Sequence, residues 1–267
     1  MQERKNWDLL NKLHKVCVFS FSLLATPLLA QNNFLDSIDK HIAQSTFEFL
    51  SKDHIHGKFN PDTSIEFSKI DSQYCYKDTY LISEVYEAFI RMANAAESDS
   101  VILKILSGTR NFEHQKSLWE NKWCGKTKVN GKKLNILYKD HFSRANKILE
   151  YTAPPGFSRH HWGTEIDINS VDVEYFETEE GIKVYSWLLK NAEKFGFCQT
   201  YTHKDLRNNK GFNEEKWHWS YSKLSEPILN EVIRTFNKLN ISDFSGFQAV
   251  RRIDLLDDYI LSINRCH

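Results

Sequence analysis

The sequence predicts an α+β fold in a single domain. Apolar residues recur at helical spacing in several segments, and short apolar runs suited to strands lie between them without regular strand–helix–strand alternation. No repeat, low-complexity tract or Pro/Gly/Ser-rich linker divides the 267 residues. A chain of this length can bury a sizeable core. We therefore expect one α+β domain with additional helices at both ends.

The N-terminus has the layout of a secretory signal peptide. Basic residues between Arg4 and Lys15 precede an uncharged stretch over residues 16–30 that is rich in Leu and Phe. This stretch is shorter than the roughly 20 residues that span a membrane, which favours a cleaved signal over an anchor. We predict cleavage after Ala30 and secretion across the cytoplasmic membrane into the periplasm.

Beyond residue 30 the chain is nearly neutral, with 31 basic and 33 acidic residues. It has no basic stripe suited to nucleic acid and no apolar segment suited to a membrane. We therefore expect no nucleic-acid partner and no stable membrane insertion after signal cleavage.

Four cysteines remain after removal of the predicted signal peptide. In an oxidising compartment they allow two disulfides in three connectivities, with buried free thiols as the alternative. They are Cys75, Cys124, Cys198 and Cys266.

The order of predicted elements is irregular. Helices are predicted over residues 34–50, about 81–92, about 111–119, about 141–151, 185–192, 229–236 and 253–263. Strands are predicted over residues 101–106, 164–168 and 197–201 and around residue 218. Gly196 ends one helix, and Pro154 and Pro155 stop another. The polar stretch over 202–212 is predicted to form a loop over the site.

Two segments fifty residues apart contain the residues best suited to chemistry. Residues 158–167 read Ser-Arg-His-His-Trp-Gly-Thr-Glu-Ile-Asp, and residues 215–218 read Glu-Lys-Trp-His. A catalytic zinc site usually has three nitrogen or oxygen ligands and an open fourth position. His160, Asp167 and His218 meet that count. Glu215 is then free to act as the base.

The strand period places these side chains together. Gly163 permits a tight turn between the first loop and a strand that begins near residue 164. In that strand Glu165 and Asp167 share one face. His218 alternates with aromatic neighbours, which predicts a second strand. Two facing strands are therefore expected to hold all three ligands.

The two segments resemble the signatures of the zinc D,D-peptidases of the VanY and VanX type. Those signatures read Ser-x-His-x-x-Gly-x-Ala-x-Asp and Glu-x-x-His, with Trp before the last His. The one departure is Glu165, where the pattern has a small residue. Two roles are open for it, pairing with Arg159 or orienting a ligand. His161 is a rival to His160 as ligand, but the Ser-x-His register favours His160.

A third segment extends the resemblance. Residues 107–115 read Ser-Gly-Thr-Arg-Asn-Phe-Glu-His-Gln, similar to the Ser-Gly-Tyr-Arg-Ser-x-x-x-Gln stretch of the VanY group. The resemblance implies that Arg110 stabilises charge on the carbonyl oxygen or binds the substrate carboxylate. Gln115 and Ser158 would help hold that carboxylate, which the planar fork of arginine suits. The resemblance also implies one Zn²⁺ per chain on a small antiparallel sheet flanked by helices.

The resemblance covers about residues 80–221, the predicted zinc peptidase core. Residues 31–79 are predicted as an N-terminal helical extension and residues 222–267 as C-terminal helices packed on the core. The implied function is hydrolysis of peptidoglycan stem peptides, first as a D-alanyl-D-alanine carboxypeptidase. The alternatives are an L,D-carboxypeptidase, a D,D-dipeptidase or a non-enzymatic zinc-containing muropeptide-binding module. Glu215 argues against the last, since binding alone has no use for a base.

Overall fold

A computed structural model describes residues 51–265. The predicted signal peptide, the predicted helix over 34–50 and Cys266 lie outside these residues. The α-helices in the described part are α1 (Lys52–Ile55), α2 (Ser83–Ser98), α3 (Phe112–Trp123), α4 (Leu134–Leu137), α5 (His141–Ile148), α6 (Glu179–Asn191), α7 (Ser222–Thr235) and α8 (Phe247–Val250). The strands are β1 (Phe67–Lys69), β2 (Tyr80–Ile82), β3 (Ile105–Ser107), β4 (Glu165–Ile168), β5 (Phe197–Gln199) and β6 (His218–Tyr221).

A four-stranded antiparallel sheet in the order β3-β4-β6-β5 forms the centre of the fold. Ile166 and Ile168 of β4 are fully buried, and they alternate with the two carboxylates predicted to face the site. The pair β1-β2 forms a separate two-stranded antiparallel sheet. The α+β class with a small antiparallel sheet is confirmed.

The helices follow from apolar spacing and from their caps. Val85, Phe89 and Met92 of α2 are completely buried, as their helical spacing predicts. Asn111 caps α3, because its side chain accepts a hydrogen bond from the backbone N–H of His114. This cap fixes where α3 begins, directly after the segment that contains the predicted substrate-binding arginine.

Several predicted elements differ from the structure. The predicted helix over 253–263 is wrong, because it is replaced by a short π-helical turn, Leu256–Ile260. Leu255 donates a backbone hydrogen bond to Ile253, and this tight turn interrupts the helical ladder while both side chains stay buried. A strand is predicted over 101–106, but the observed strand β3 is shorter and covers only Ile105–Ser107. Leu189 lies in the predicted helix over 185–192, whose apolar residues were expected to form a buried face, but it is 60 % exposed.

The segments that flank the motifs pack against the central elements. Residues 51–79, predicted as part of a helical extension, contain α1, a 3₁₀ turn over Pro61–Thr63 and β1. At the other end, α7 packs on β6 and α8 packs on α5. Within residues 51–265, none of the helices has the length and apolar character needed to cross a membrane.

The described cysteines allow one disulfide rather than two. Cys198 is disulfide-bonded, whereas Cys75 and Cys124 are free thiols. Cys75 is buried, and its Sγ donates to the carbonyl oxygens of Ile70 and Asp71 at 3.7 Å and 3.5 Å. Cys124 is exposed at the C-terminal end of α3. The free-thiol alternative therefore applies to these two residues.

Candidate metal centre and catalytic cavity

Three predicted ligands converge at one point of the central sheet. Asp167 on β4 and His218 on β6 are register partners across the two strands. His160 comes from the 3₁₀ turn Arg159–His161 that precedes β4. The expectation that two strands hold all three ligands is therefore wrong for His160, because the turn, not the strand, carries its ring into the site. The three donor atoms lie within 4.8 Å of one another, and all three residues are buried.

The donor atoms of the three residues are directed at the same point. Asp167 Oδ1 lies 3.3 Å from His160 Nε2 and 3.2 Å from His218 Nδ1. His160 Nδ1 lies 2.8 Å from the carbonyl oxygen of Gly108. Because a carbonyl oxygen can only accept, this contact places the hydrogen on Nδ1 and leaves the Nε2 lone pair facing the centre. Two imidazoles and a carboxylate in this arrangement fit the donor set of a zinc ion.

The electrostatics of the centre keep one histidine neutral and the carboxylate charged. Burial lowers the pKa of His160 to about 4, with a further contribution from Arg110. Burial disfavours the charge of Asp167, but the cationic Arg110 and the hydrogen bond from His218 act against it, and the pKa of Asp167 stays well below the usual value. Burial also disfavours protonated His218, yet hydrogen bonds to Asp167 and Glu165 raise its pKa to about 9. A cation at the centre would replace that proton.

His161 is directed away from the centre. Its Nδ1 lies 2.7 Å from the carbonyl oxygen of Arg110, and its Nε2 accepts a hydrogen bond from the backbone N–H of Gly156 at 3.0 Å. Gly57 packs against the same ring, where an added Cβ would lie 2.3 Å from Nδ1. Both ring nitrogens of His161 are therefore engaged by the backbone, and it is His160 that the structure groups with the other ligands.

Gly163 forms the turn that connects the two parts of the first motif. Its φ is +80°, and an added Cβ would lie 2.5 Å from Cε1 of Phe67. Both the left-handed backbone and the close approach of the ring require glycine. Through this contact β1 supports the turn that leads into β4.

Glu215 lies beside the centre in the turn before β6. Its Oε2 is 3.7 Å from His218 Nδ1, and its backbone carbonyl accepts a hydrogen bond from the His218 N–H at 3.2 Å. Burial raises the pKa of Glu215 to about 7, and the negative charge of Asp167 acts in the same direction. A buried carboxylate with a pKa near neutrality is suited to exchange protons.

Glu165 has both of the partners considered for it. Its Oε1 accepts a hydrogen bond from Arg159 Nη2 at 3.1 Å, and its Oε2 lies 2.9 Å from His218 Nε2. Burial disfavours its charge, but Arg159 and His218 outweigh that effect and lower its pKa to about 2. The extra carboxylate is thus charged and is neutralised locally by Arg159.

Arg110 and Gln115 meet next to the ligands. Arg110 Nη2 donates to Asp167 Oδ2 at 2.5 Å, and its Nε donates to Ser107 Oγ at 2.9 Å. Gln115 is fully buried, with Nε2 donating to the carbonyl of Ala153 at 2.8 Å and Oε1 3.5 Å from Arg110 Nη1. Gln115 therefore faces the guanidinium group and not open space.

A cavity of about 500 Å³ opens onto the centre, and Ser158 lines it together with Arg110. Lys122 also lines this cavity and was not identified from the sequence. Its Nζ donates to Thr152 Oγ1 at 2.5 Å, and burial lowers its pKa. Lys122 follows Gln115 by seven residues, so helical periodicity would have placed both on one face of α3.

Tyr201 is a second residue that sequence reasoning missed. Its ring centroid lies 4.7 Å from that of His218, and it lines the cavity with Trp217. Tyr201 follows β5, which pairs with β6. Only the strand order brings it to the ligands, so the sequence contains no direct signal for this contact. The predicted loop over 202–212 contributes Phe212 to the cavity wall.

Fold and site together define a protein with a buried centre of two histidines and one carboxylate, next to a buried glutamate of raised pKa. A sequence profile of the VanY family, described as D-alanyl-D-alanine carboxypeptidase, matches residues 78–224, which is more than half of the chain. This protein belongs to that family.

Individual relatives have 25–30% sequence identity to this chain. A D-alanyl-D-alanine carboxypeptidase of Enterococcus faecalis is 30% identical over 128 residues, which cover 48% of this chain and 43% of the relative. The putative carboxypeptidase YodJ of Bacillus subtilis is 25% identical over 201 residues, with coverages of 72% and 61%. The chain therefore spans about half of the length of these curated relatives.

Solved structures show a limited similarity. A mutant of the vancomycin resistance D,D-pentapeptidase VanY in complex with Zn(II) has a TM-score of 0.44 and 23% identity, covering 60% of this chain and 88% of that structure. The LdcB LD-carboxypeptidase has a TM-score of 0.46 and 18% identity, with coverages of 74% and 81%.

Proposed function

We propose that this protein is a zinc-dependent peptidase that hydrolyses peptidoglycan stem peptides, acting as a D-alanyl-D-alanine carboxypeptidase. One observation carries the proposal: three buried residues have ligand atoms within 4.8 Å of one another, and a further carboxylate, Glu215, lies 3.7 Å from His218 Nδ1. Membership of a carboxypeptidase family supports the same conclusion.

His160, Asp167 and His218 would hold the metal. A zinc ion there would supply Lewis-acid activation of the scissile carbonyl and of a water molecule. Glu215 accepts a proton from the attacking water and delivers it to the leaving amine nitrogen. Burial disfavours the charge of this carboxylate and raises its pKa, which favours uptake of the proton. A module that only binds muropeptides would have no use for this buried carboxylate.

The cavity is suited to a peptide with a free terminal carboxylate. Arg110 and Lys122 place two cations on its wall, and Ser158 adds a hydroxyl group. A site built around such groups rejects ligands that lack the carboxylate, because its own polar atoms would be left without partners. We therefore propose exopeptidase action at the C-terminus of the stem peptide.

Secretion into the periplasm is also part of the proposal. The N-terminal layout of basic residues followed by an apolar stretch supports it. The disulfide at Cys198 gives independent support, because such bonds persist in oxidising compartments.

The test is product analysis with defined muropeptides. Zinc-loaded protein is incubated with a pentapeptide stem, a tetrapeptide stem and a pentapeptide whose C-terminus is amidated, and the products are weighed by mass spectrometry. We expect release of D-alanine from the free pentapeptide and none from the amide. Release from the tetrapeptide alone would indicate an L,D-carboxypeptidase. Hydrolysis of free D-alanyl-D-alanine, tested as a fourth substrate, without release from either stem would indicate a D,D-dipeptidase. Turnover of the amide at an equal rate would refute the carboxylate-binding argument. Glu215→Gln serves as the inactive control.

A further inference from the structure

Glu165 is a completely buried carboxylate whose two oxygens have different partners. Oε1 accepts hydrogen bonds from Arg159 Nη2 at 3.1 Å, Ser220 Oγ at 2.8 Å and Thr164 Oγ1 at 3.0 Å. Oε2 lies 2.9 Å from His218 Nε2. Three donors thus hold one end of the carboxylate, and its other end is directed at a metal ligand.

The two ring nitrogens of His218 face opposite groups. Nδ1 lies 3.2 Å from Asp167 Oδ1 and 3.7 Å from Glu215 Oε2, so it faces the centre. Nε2 faces Glu165 on the other side of the ring. A neutral imidazole has one N–H and one lone pair. If Nδ1 gives its lone pair to a metal, the hydrogen must lie on Nε2, where Glu165 can accept it.

We propose that Glu165 is a positioning residue that accepts the Nε2 hydrogen of His218 and so fixes the tautomer and ring orientation in which Nδ1 binds the metal. The inference rests on the proposed zinc peptidase function. When a carboxylate accepts the second N–H of a metal-binding histidine, its removal typically lowers metal affinity or activity by about 10- to 100-fold. The family pattern has a small residue here, so this contact distinguishes the present chain.

Arg159 makes the extra carboxylate tolerable. Its side chain is 7 % exposed, it also donates to Ser220 Oγ at 2.9 Å, and its guanidinium carbon lies 4.4 Å from the ring centroid of Trp162. A buried charge without a partner would be strongly destabilising. Because Arg159 neutralises Glu165, the contact to His218 adds a strong acceptor without adding net negative charge. Arg159 and Glu165 therefore act as one unit within the first motif.

The experiment compares one variant that keeps the acceptor with one that removes it. Arg159→Met/Glu165→Gln removes both charges but keeps an oxygen that can accept from His218 Nε2. Arg159→Met/Glu165→Ala removes the charges and the acceptor. Zinc affinity is measured by competition with a chromophoric chelator, and circular dichroism verifies folding. We expect the alanine variant to bind zinc at least tenfold more weakly than the glutamine variant, in line with the range for such contacts.

A second variant keeps the test decisive if the double variants unfold. Glu165→Asp keeps a carboxylate near Arg159 but shortens the side chain by one methylene, which withdraws it from His218. We expect weaker zinc binding and an altered visible spectrum of the cobalt-substituted protein. Ile228→Ala, a buried change in α7, is the control for general destabilisation and should lower the melting temperature without changing zinc affinity.

The outcomes separate this inference from the proposed function. Equal zinc affinity in wild type and in the aspartate and double variants would overturn the role of Glu165 while leaving the peptidase proposal intact. A wild-type protein that binds no zinc would overturn both. Weaker binding in the alanine and aspartate variants, with near-native binding in the glutamine variant, supports the positioning role.

Discussion

Asp167 and His218 face each other as register partners in neighbouring antiparallel strands, with Asp167 Oδ1 3.2 Å from His218 Nδ1. The hydrogen-bond ladder of the sheet therefore sets the spacing of two of the proposed metal ligands. Sites built on strands are held more precisely than sites on loops. The third proposed ligand, His160, lies in a turn, and the contact of its Nδ1 with the carbonyl oxygen of Gly108 orients its ring.

Zinc content tests the ligand set. We expect about one zinc per chain in the wild-type protein, and loss of stoichiometric zinc in His160→Ala and His218→Ala, because each removes one of the three proposed donors. Elemental analysis after mild dialysis measures this. The matched control is His203→Ala, an exposed histidine outside the centre, which should keep its zinc. Full zinc in both ligand variants would show that these residues are not the ligands.

Glu215→Gln separates the base from the ligands. The variant should retain zinc, because its carboxylate is not one of the three converging donors. Hydrolysis of a pentapeptide should fall by about 10²- to 10⁴-fold, the usual contribution of general acid–base catalysis. Steady-state rates and zinc content are measured on the same preparation. Loss of zinc would place Glu215 among the ligands, and a rate within a few-fold of wild type would exclude it as the base.

The stability of the protein should depend on pH through His54. Burial lowers the pKa of His54 to about 4, below its ordinary value of 6.5. The unfolded chain therefore takes up a proton more readily, so stability that is present above pH 6.5 is lost as the pH falls towards 4. The loss from this group is about 3 kcal/mol at most.

Replacing His54 with a residue whose ring cannot be protonated isolates its contribution to the pH dependence of stability. His54 stacks on Phe59 with ring centroids 4.1 Å apart, and His54→Phe retains an aromatic ring there. Denaturant unfolding of the wild type and the variant is compared between about pH 7 and about pH 4. The variant should lose less stability on acidification. Identical pH profiles would contradict the assignment.

Protein recovered from outside the cytoplasm should start after Ala30 and contain one disulfide that involves Cys198. Mass spectrometry without reduction checks both points. Cys124 is exposed and should react with a thiol reagent in the native protein, whereas buried Cys75 should react only after unfolding. Cys124→Ser removes the fast reaction and is the control. Three or more free thiols among the mature cysteines would refute the disulfide.

The sequence by itself determined the residues of the centre and much of the secondary structure. The proposed ligands and Glu215 lie in short motifs, and the period of two in β4 puts Glu165 and Asp167 on one face regardless of the rest of the fold. Helices with regular apolar spacing, such as α2, could be predicted for the same reason. Local geometry fixes these features, so a local pattern can reveal them.

Tertiary structure decided what depends on burial and on distant partners. The raised pKa of Glu215 comes from burial and from Asp167 on β4, and no sequence pattern contains that burial. Tyr201 reaches His218 only because β5 pairs with β6. The sequence allowed Glu165 to pair with Arg159 or to orient a metal ligand. Only the placement of β4 beside the turn Arg159–His161 and β6 shows that it contacts both Arg159 and His218. These features are set by the free energy of long-range packing, which depends on the whole chain and not on the spacing of residues within a segment.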